Sequence, residues 1–203
     1  MEQITKQFNI YEFQELCETA KEKVKQWWLD DETRNEDFQA FTEEYLKAEF
    51  PNSELKVQYS LNSCQGDGLN IFGDLDFYDM LKKLSGYTEK EQRTLEFYFE
   101  HSTHVYTFEV NSRYCYSCKF IDKKYIDYVL EDIVSELTYQ DIANINKDLI
   151  KKFLDNMLDY FEILDKEREK DGYNYLYNID DEEMEDICSV NEYKFLEDGT
   201  FYC

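Results

Sequence analysis

The sequence lacks any apolar stretch that could cross a membrane, since no run approaches the roughly 20 residues that a spanning helix needs. Its first residues, Met1–Lys6, have neither the basic nor the apolar segment of a secretory leader. Six cysteines in 203 residues are too few for a disulfide-dense scaffold. We therefore expect a cytoplasmic protein whose thiols are reduced.

Basic residues are scarce as well: 22 Lys and Arg stand against 46 Asp and Glu, for a formal net charge of −24. Nucleic-acid phosphates and anionic lipids would repel such a chain, so we expect it to bind neither directly. The charge favours basic partners: a nucleic-acid-binding protein, a cationic peptide or a divalent metal ion. Aromatic residues make up 17% of the chain and predict a compact fold rather than disorder.

Motifs of known reaction centres are also absent, because no P-loop, Gly-x-Ser-x-Gly or His-Glu-x-x-His pattern occurs. Asp74, Asp76 and Asp79 could hold Mg²⁺, although Asp76 is better placed to cap the helix that should follow it. The pattern therefore predicts a protein that is not an enzyme and needs no cofactor.

Two short motifs resemble halves of a zinc site: His101-x-x-His104 and Cys115-x-x-Cys118. Cys115 and Cys118 lie in a strand-like pattern, where residues three apart face opposite sides of the sheet. The four groups would not converge without a bulge, so we expect no metal site.

The periodicity predicts an α+β fold with the element order ααββααββαααββ. Hairpins are expected at 55–73, 104–121 and 191–203, and they should form an antiparallel sheet covered by helices. A long acidic helix near the C-terminus is predicted over about 139–170, with Gly172 ending it. We expect one α+β domain over residues 1–203.

Acidic residues are concentrated between Asp155 and Asp198, where sixteen carboxylates face four Lys and Arg. One set recurs at helical spacing on the long helix: Asp155, Asp159, Glu162, Asp165 and Glu169. A second set follows on a short predicted helix: Asp180, Asp181, Glu182, Glu183, Glu185 and Asp186. Like charges so spaced cost about a few tenths of a kcal/mol per pair, which favours a function such as imitating a phosphate backbone. The alternative is a solvated face that keeps the protein soluble.

Three segments of the chain are distinctive: VQYSLNSCQGDG at 57–68, NEYKFLEDGTFY at 191–202 and the first-helix pattern FxxLxxxAK that begins at Phe13. Together they resemble a family of small acidic proteins from phages and mobile elements of Firmicutes-type bacteria, sometimes labelled antitoxin-like. The resemblance spans the chain, although the first-helix motif departs from the family pattern at 14–19. It implies a phage protein acting in the bacterial cytoplasm, and it assigns no catalytic residue.

We therefore expect an anti-defence protein that inhibits a nucleic-acid-processing enzyme. It would bind the basic groove of a CRISPR effector, as an anti-CRISPR, or of a restriction-type nuclease, with the two acidic sets acting as a DNA mimic. The alternative is an antitoxin-like module that sequesters a protein or small ligand through the loop Gln65, Gly66, Asp67 and Gly68, in which Gly68 should need a positive φ.

Overall fold

A computed structural model describes residues 7–31, 33–62, 67–108 and 123–203, and it confirms the predicted α+β class. The described elements are a 3₁₀ turn at Phe13–Glu15, seven α-helices and three strands. They are α1 Glu18–Leu29, α2 Thr33–Glu49, β1 Glu54–Ser60, β2 Gly68–Asp76, α3 Phe77–Lys83, α4 Glu89–Glu100, β3 Val105–Phe108, α5 Lys123–Tyr139, α6 Lys147–Tyr177 and α7 Asp181–Val190. Within these ranges, no helix has the length and apolarity that a membrane span requires.

The three strands form one antiparallel sheet in the order β1-β2-β3. Val57 of β1 lies opposite Ile71 of β2, and Leu75 of β2 lies opposite Tyr106 of β3. The first predicted hairpin is therefore confirmed. The returning half of the second one, with Cys115 and Cys118, lies outside the described residues.

Two helices of unbroken local pattern begin at side-chain caps. The carboxylate of Asp76 accepts a hydrogen bond from the backbone N–H of Tyr78 and caps α3, as predicted. Thr88 and Glu91 form a capping box at the start of α4. The first helix instead begins later than its pattern predicts, because the 3₁₀ turn precedes it and α1 starts only at Glu18.

The bounds predicted for the long helix, 139–170, are wrong at both ends. Tyr139 is the last residue of α5, which closes in a Schellman motif with Asp141 at φ 56°. The side chain of Asn146 then accepts from the N–H of Leu149 and caps α6. At the other end, Gly172 is buried within α6, which continues to Tyr177.

The chain groups into two compact units, whereas the sequence predicts one domain over residues 1–203. Unit 1 comprises Met1–Phe38 and Tyr173–Cys203, and unit 2 comprises Gln39–Gly172. The core of unit 1 is built by α1, α7 and the segments beside them: Phe13, Leu16, Ala20, Val24, Met184, Cys188 and Phe195. The core of unit 2 includes an aromatic group in which Phe77 contacts Phe99, Tyr106 and Phe153.

The predicted terminal hairpin is present in unit 1 as a narrow pairing of short segments. Phe195 bridges Phe201 on one side and Tyr11 on the other, both antiparallel. The turn between Phe195 and Phe201 contains Gly199 at φ +79°. A Cβ at this position would collide with the backbone carbonyl of Ala20 in α1, so the hairpin approaches the helix as closely as glycine permits.

Candidate partner-binding surface

Some of the acidic residues at the start of α7, in unit 1, stabilise the helix itself. Asp180 caps it by accepting a hydrogen bond from the N–H of Glu183 at 2.8 Å. Carboxylates in the first turn, here Asp181, Glu182 and Glu183, also interact favourably with the positive end of the helix dipole. Local helix stability therefore explains the acidic residues at 180–183 better than it explains Glu185 and Asp186.

Asp181 is tied to α1 and is not a free charge. Its carboxylate accepts from Lys21 Nζ at 3.4 Å and forms a second ion pair with Lys25. The hydrogen bond from Lys25, followed by that from Lys21, holds the pKa of Asp181 below its ordinary value. This residue joins two helices of unit 1, so we do not count it in the binding surface.

The remaining acidic side chains of α7 point outward. Met184 and Cys188 are buried in the unit 1 core and orient the helix. The side chains on the other faces are exposed: Glu182, Glu183, Glu185 and Asp186. In the part of the chain that the structure describes, none of these four forms an ion pair. We call these four residues the α7 acidic face.

The acidic set on α6 lies in unit 2 and is partly neutralised. The carboxylate of Glu162 accepts from Lys166 Nζ at 2.7 Å, and that of Asp155 lies 4.0 Å from Lys151 Nζ. Glu169 is half-buried, whereas Asp159 is exposed. The two predicted acidic sets thus lie in different units. More of the negative charge on the α6 set is paired with lysine side chains.

Asp165 does not share the exposed surface expected for the acidic set on the long helix. It is fully buried, and its Oδ1 accepts from the N–H of Ile71 in β2 at 3.1 Å. Burial, the largest cause, raises its pKa to about 8, so the group is mainly protonated at neutral pH. The reason is angular: at 3.6 residues per turn, Asp165 lies about 80° around the helix from Asp155, towards the buried side chains of Phe161 and Leu164.

Unit 1 contains an aromatic cluster that was not predicted from the sequence. The indole of Trp27 stacks on Phe201 with 4.8 Å between ring centroids, and it makes T-shaped contacts with Tyr193 and Phe195 at centroid distances of 5.7 and 6.1 Å. Trp27 is 38% exposed and Phe201 is 40% exposed. The available signal was the coincidence of Trp27 on the first helix with an aromatic-rich terminal hairpin.

A cavity of about 450 Å³ opens beside the end of α7, also in unit 1. Its walls include carboxylates from two segments, Glu12, Glu185 and Glu192, together with Cys188 and Tyr193. Glu12 is already engaged by Lys194 Nζ at 2.7 Å.

Unit 1 as a whole carries nineteen acidic and six basic residues, so it holds just over half of the excess negative charge in about a third of the chain.

The residues weighed as metal ligands have other roles where they can be seen. The buried carboxylate of Asp79 accepts from the N–H and side chain of Asn52 and from the hydroxyl of Ser53. His101 Nδ1 lies 2.8 Å from the carbonyl oxygen of Phe97. No group of three or more His, Cys, Asp or Glu side chains with metal-site spacing occurs among the described residues.

Gln65 and Gly66, two of the four residues in the loop predicted as an alternative ligand site, lie outside the described residues. Asp67 is half-buried, and Gly68 is the first residue of β2, paired with Ser60. Among the described glycines of this hairpin, Gly73 is the one that adopts positive φ, at 119°, where a Cβ would collide with the carbonyl of Glu54. The expectation of positive φ at Gly68 is therefore wrong.

Comparison of the chain with protein-family models, with curated proteins and with solved structures found no match.

Proposed function

We propose that this protein is an anti-defence protein of phage or mobile-element origin that acts in the host cytoplasm. Its partner would be a basic nucleic-acid-processing protein, a CRISPR effector or a restriction-type nuclease. Unit 1 would occupy the groove in which the partner binds nucleic acid, with the α7 acidic face standing in for phosphates.

The observation that carries this proposal is the α7 acidic face itself. Four carboxylates within five residues are exposed there and form no ion pair with any described residue, whereas Asp181 beside them is paired twice. An uncompensated anionic face attracts a cationic surface, speeds encounter and fixes orientation. The acidic set on α6, with two of its members paired and one buried, supports the proposal less.

A protein partner suits this face better than a metal ion. Cation binding by carboxylates needs several oxygens converging on one point, as in compact calcium sites. The four side chains of the α7 acidic face instead spread over an exposed helix surface. Spread charges suit the repeated Lys and Arg contacts of a nucleic-acid groove.

The experiment is affinity capture from a bacterial lysate rich in CRISPR effectors and restriction nucleases, followed by nuclease assays on what is captured. The full-length protein is compared with E182Q/E183Q/E185Q/D186N, which neutralises the α7 acidic face. The matched control, E54Q/E96Q/E100Q/E131Q, removes four exposed carboxylates from unit 2. Capture and inhibition of a nuclease by the parent and the control, but not by the α7 variant, would support the proposal. Equal behaviour of all three proteins would contradict it.

A further inference from the structure

We propose that the exposed face of Trp27 receives arginine side chains from a basic segment of the protein partner. This inference rests on the proposed function, because it names the chemistry that the partner presents to unit 1. It assigns a role to the aromatic cluster of Trp27, Tyr193, Phe195 and Phe201, which the acidic residues do not explain.

The indole of Trp27 is held in place before any partner arrives. Phe201 lies nearly parallel to it, at an interplanar angle of 12°, and covers one face. Tyr193 and Phe195 approach with their rings at 76° and 75° to the indole. The indole is fixed in this way and is still 38% exposed, so Trp27 would lose little side-chain entropy when a partner side chain binds to it.

The charges around Trp27 favour a cation. Asp30, the C-cap residue of α1, follows Trp27 by three residues, and its carboxylate accepts a hydrogen bond from the neutral side-chain amide of Gln26 at 2.7 Å. The nearby cation Lys23 is already engaged, because its Nζ lies 3.0 Å from Asp198 and 2.8 Å from the hydroxyl of Thr200. With nineteen acidic and six basic residues in unit 1, a positively charged occupant is complementary and an anionic one is repelled.

Guanidinium fits this site better than ammonium. Arginine is planar and weakly hydrated, and it stacks on aromatic faces more readily than lysine does. Unit 1 already contains such a contact: the guanidinium carbon of Arg34 lies 4.5 Å from the ring centroid of Tyr175 and 5.6 Å from that of Trp28. Arginine also binds nucleic-acid phosphates in many proteins, so a groove that binds nucleic acid contains arginine side chains.

The test uses two synthetic peptides of equal length and charge, one with arginine and the other with lysine at every basic position. Both are titrated into the full-length protein at about 0.5 M salt, where exposed charges are largely screened. We expect the arginine peptide to bind up to about fivefold more tightly, because a whole cation–π contact at an exposed site is worth about two- to fivefold and lysine forms it less readily. Trp27→Leu should abolish this preference, whereas Tyr128→Leu, which removes an exposed aromatic residue from unit 2, should retain it.

A second readout leaves Trp27 itself unsubstituted. The chain has two tryptophans, so in Trp28→Phe all tryptophan emission comes from Trp27. The arginine peptide should change that emission more than the lysine peptide at equal occupancy. Equal affinities for the two peptides together with equal emission changes would overturn the inference, even if Trp27→Leu does not fold. That result would leave the proposed function to its own test, which depends on the α7 acidic face and on nuclease inhibition.

Discussion

Asp165 of α6 accepts a hydrogen bond from the backbone N–H of Ile71 in β2 at 3.1 Å. The carboxyl group is fully buried, and its second oxygen, Oδ2, has no hydrogen-bond partner within the described residues. Unit 2 therefore contains a carboxyl group that favours its protonated form, inside a protein of very high negative charge.

This burial predicts a specific pH dependence of stability. The folded pKa of Asp165, about 8, exceeds the ordinary value of 3.8, so its contribution is complete below about pH 4 and is lost as the pH rises towards 8. Asp165→Asn keeps the acceptor for Ile71 and cannot ionise. Relative to the parent, this variant should gain up to about 1.4 kcal/mol per pH unit across that window.

Urea unfolding at a series of pH values would measure that difference. Asp159→Asn, on the exposed side of the same helix, controls for the loss of one negative charge. A stability difference between Asp165→Asn and the parent that stays constant from about pH 4 to pH 8 would show that Asp165 is not buried as described.

Gly199 should be far less tolerant of substitution than another glycine with positive φ. Gly199→Ala and Gly86→Ala both place a side chain in the left-handed region, at φ +79° and +89°, which costs about 1–2 kcal/mol. Gly86 has open space around it, whereas a Cβ at Gly199 collides with Ala20. Denaturant unfolding should show a clearly larger loss for Gly199→Ala, and equal losses would contradict the close contact between hairpin and helix.

Cysteine reactivity should separate two thiols of unit 1. A hydrogen bond with the Thr19 hydroxyl, at 3.2 Å, lowers the pKa of the exposed Cys17 thiol, whereas burial raises that of Cys188 to about 11. At neutral pH an alkylating reagent should label Cys17 well before Cys188, as read by peptide mass spectrometry. Thr19→Val should slow the labelling of Cys17, and an unchanged rate would mean that the hydroxyl does not assist the thiolate.

The sequence predicts best where the physical cause is local. The cap by Asp76 that the sequence predicts is found, and the Thr88–Glu91 box likewise involves only neighbours along the chain. Gly172 illustrates the opposite case, because its intrinsic cost of about 1 kcal/mol in a helix is a weak preference that tertiary packing can override. Here Leu176 is buried one turn later, so α6 continues past the glycine.

The candidate surface was predictable to a similar extent. The outward direction of Glu182, Glu183, Glu185 and Asp186 follows from helical spacing, and the structure has them exposed. The burial of Asp165 depends on where β2 lies, and the pairing of Asp181 depends on α1. The Trp27 cluster joins residues about 170 positions apart in the chain, and no local pattern specifies that contact.

The central claim, that the α7 acidic face substitutes for phosphates, is tested most directly by the salt dependence of binding to the captured nuclease. Affinity should fall steeply as salt rises, and nucleic acid should compete with the protein. E182Q/E183Q/E185Q/D186N should bind at least about fourfold more weakly at low salt, since four exposed ion pairs contribute roughly 0.2–1 kcal/mol each, and its affinity should depend less steeply on salt. If this variant binds and inhibits as the parent does at every salt concentration, the α7 acidic face is not the binding surface.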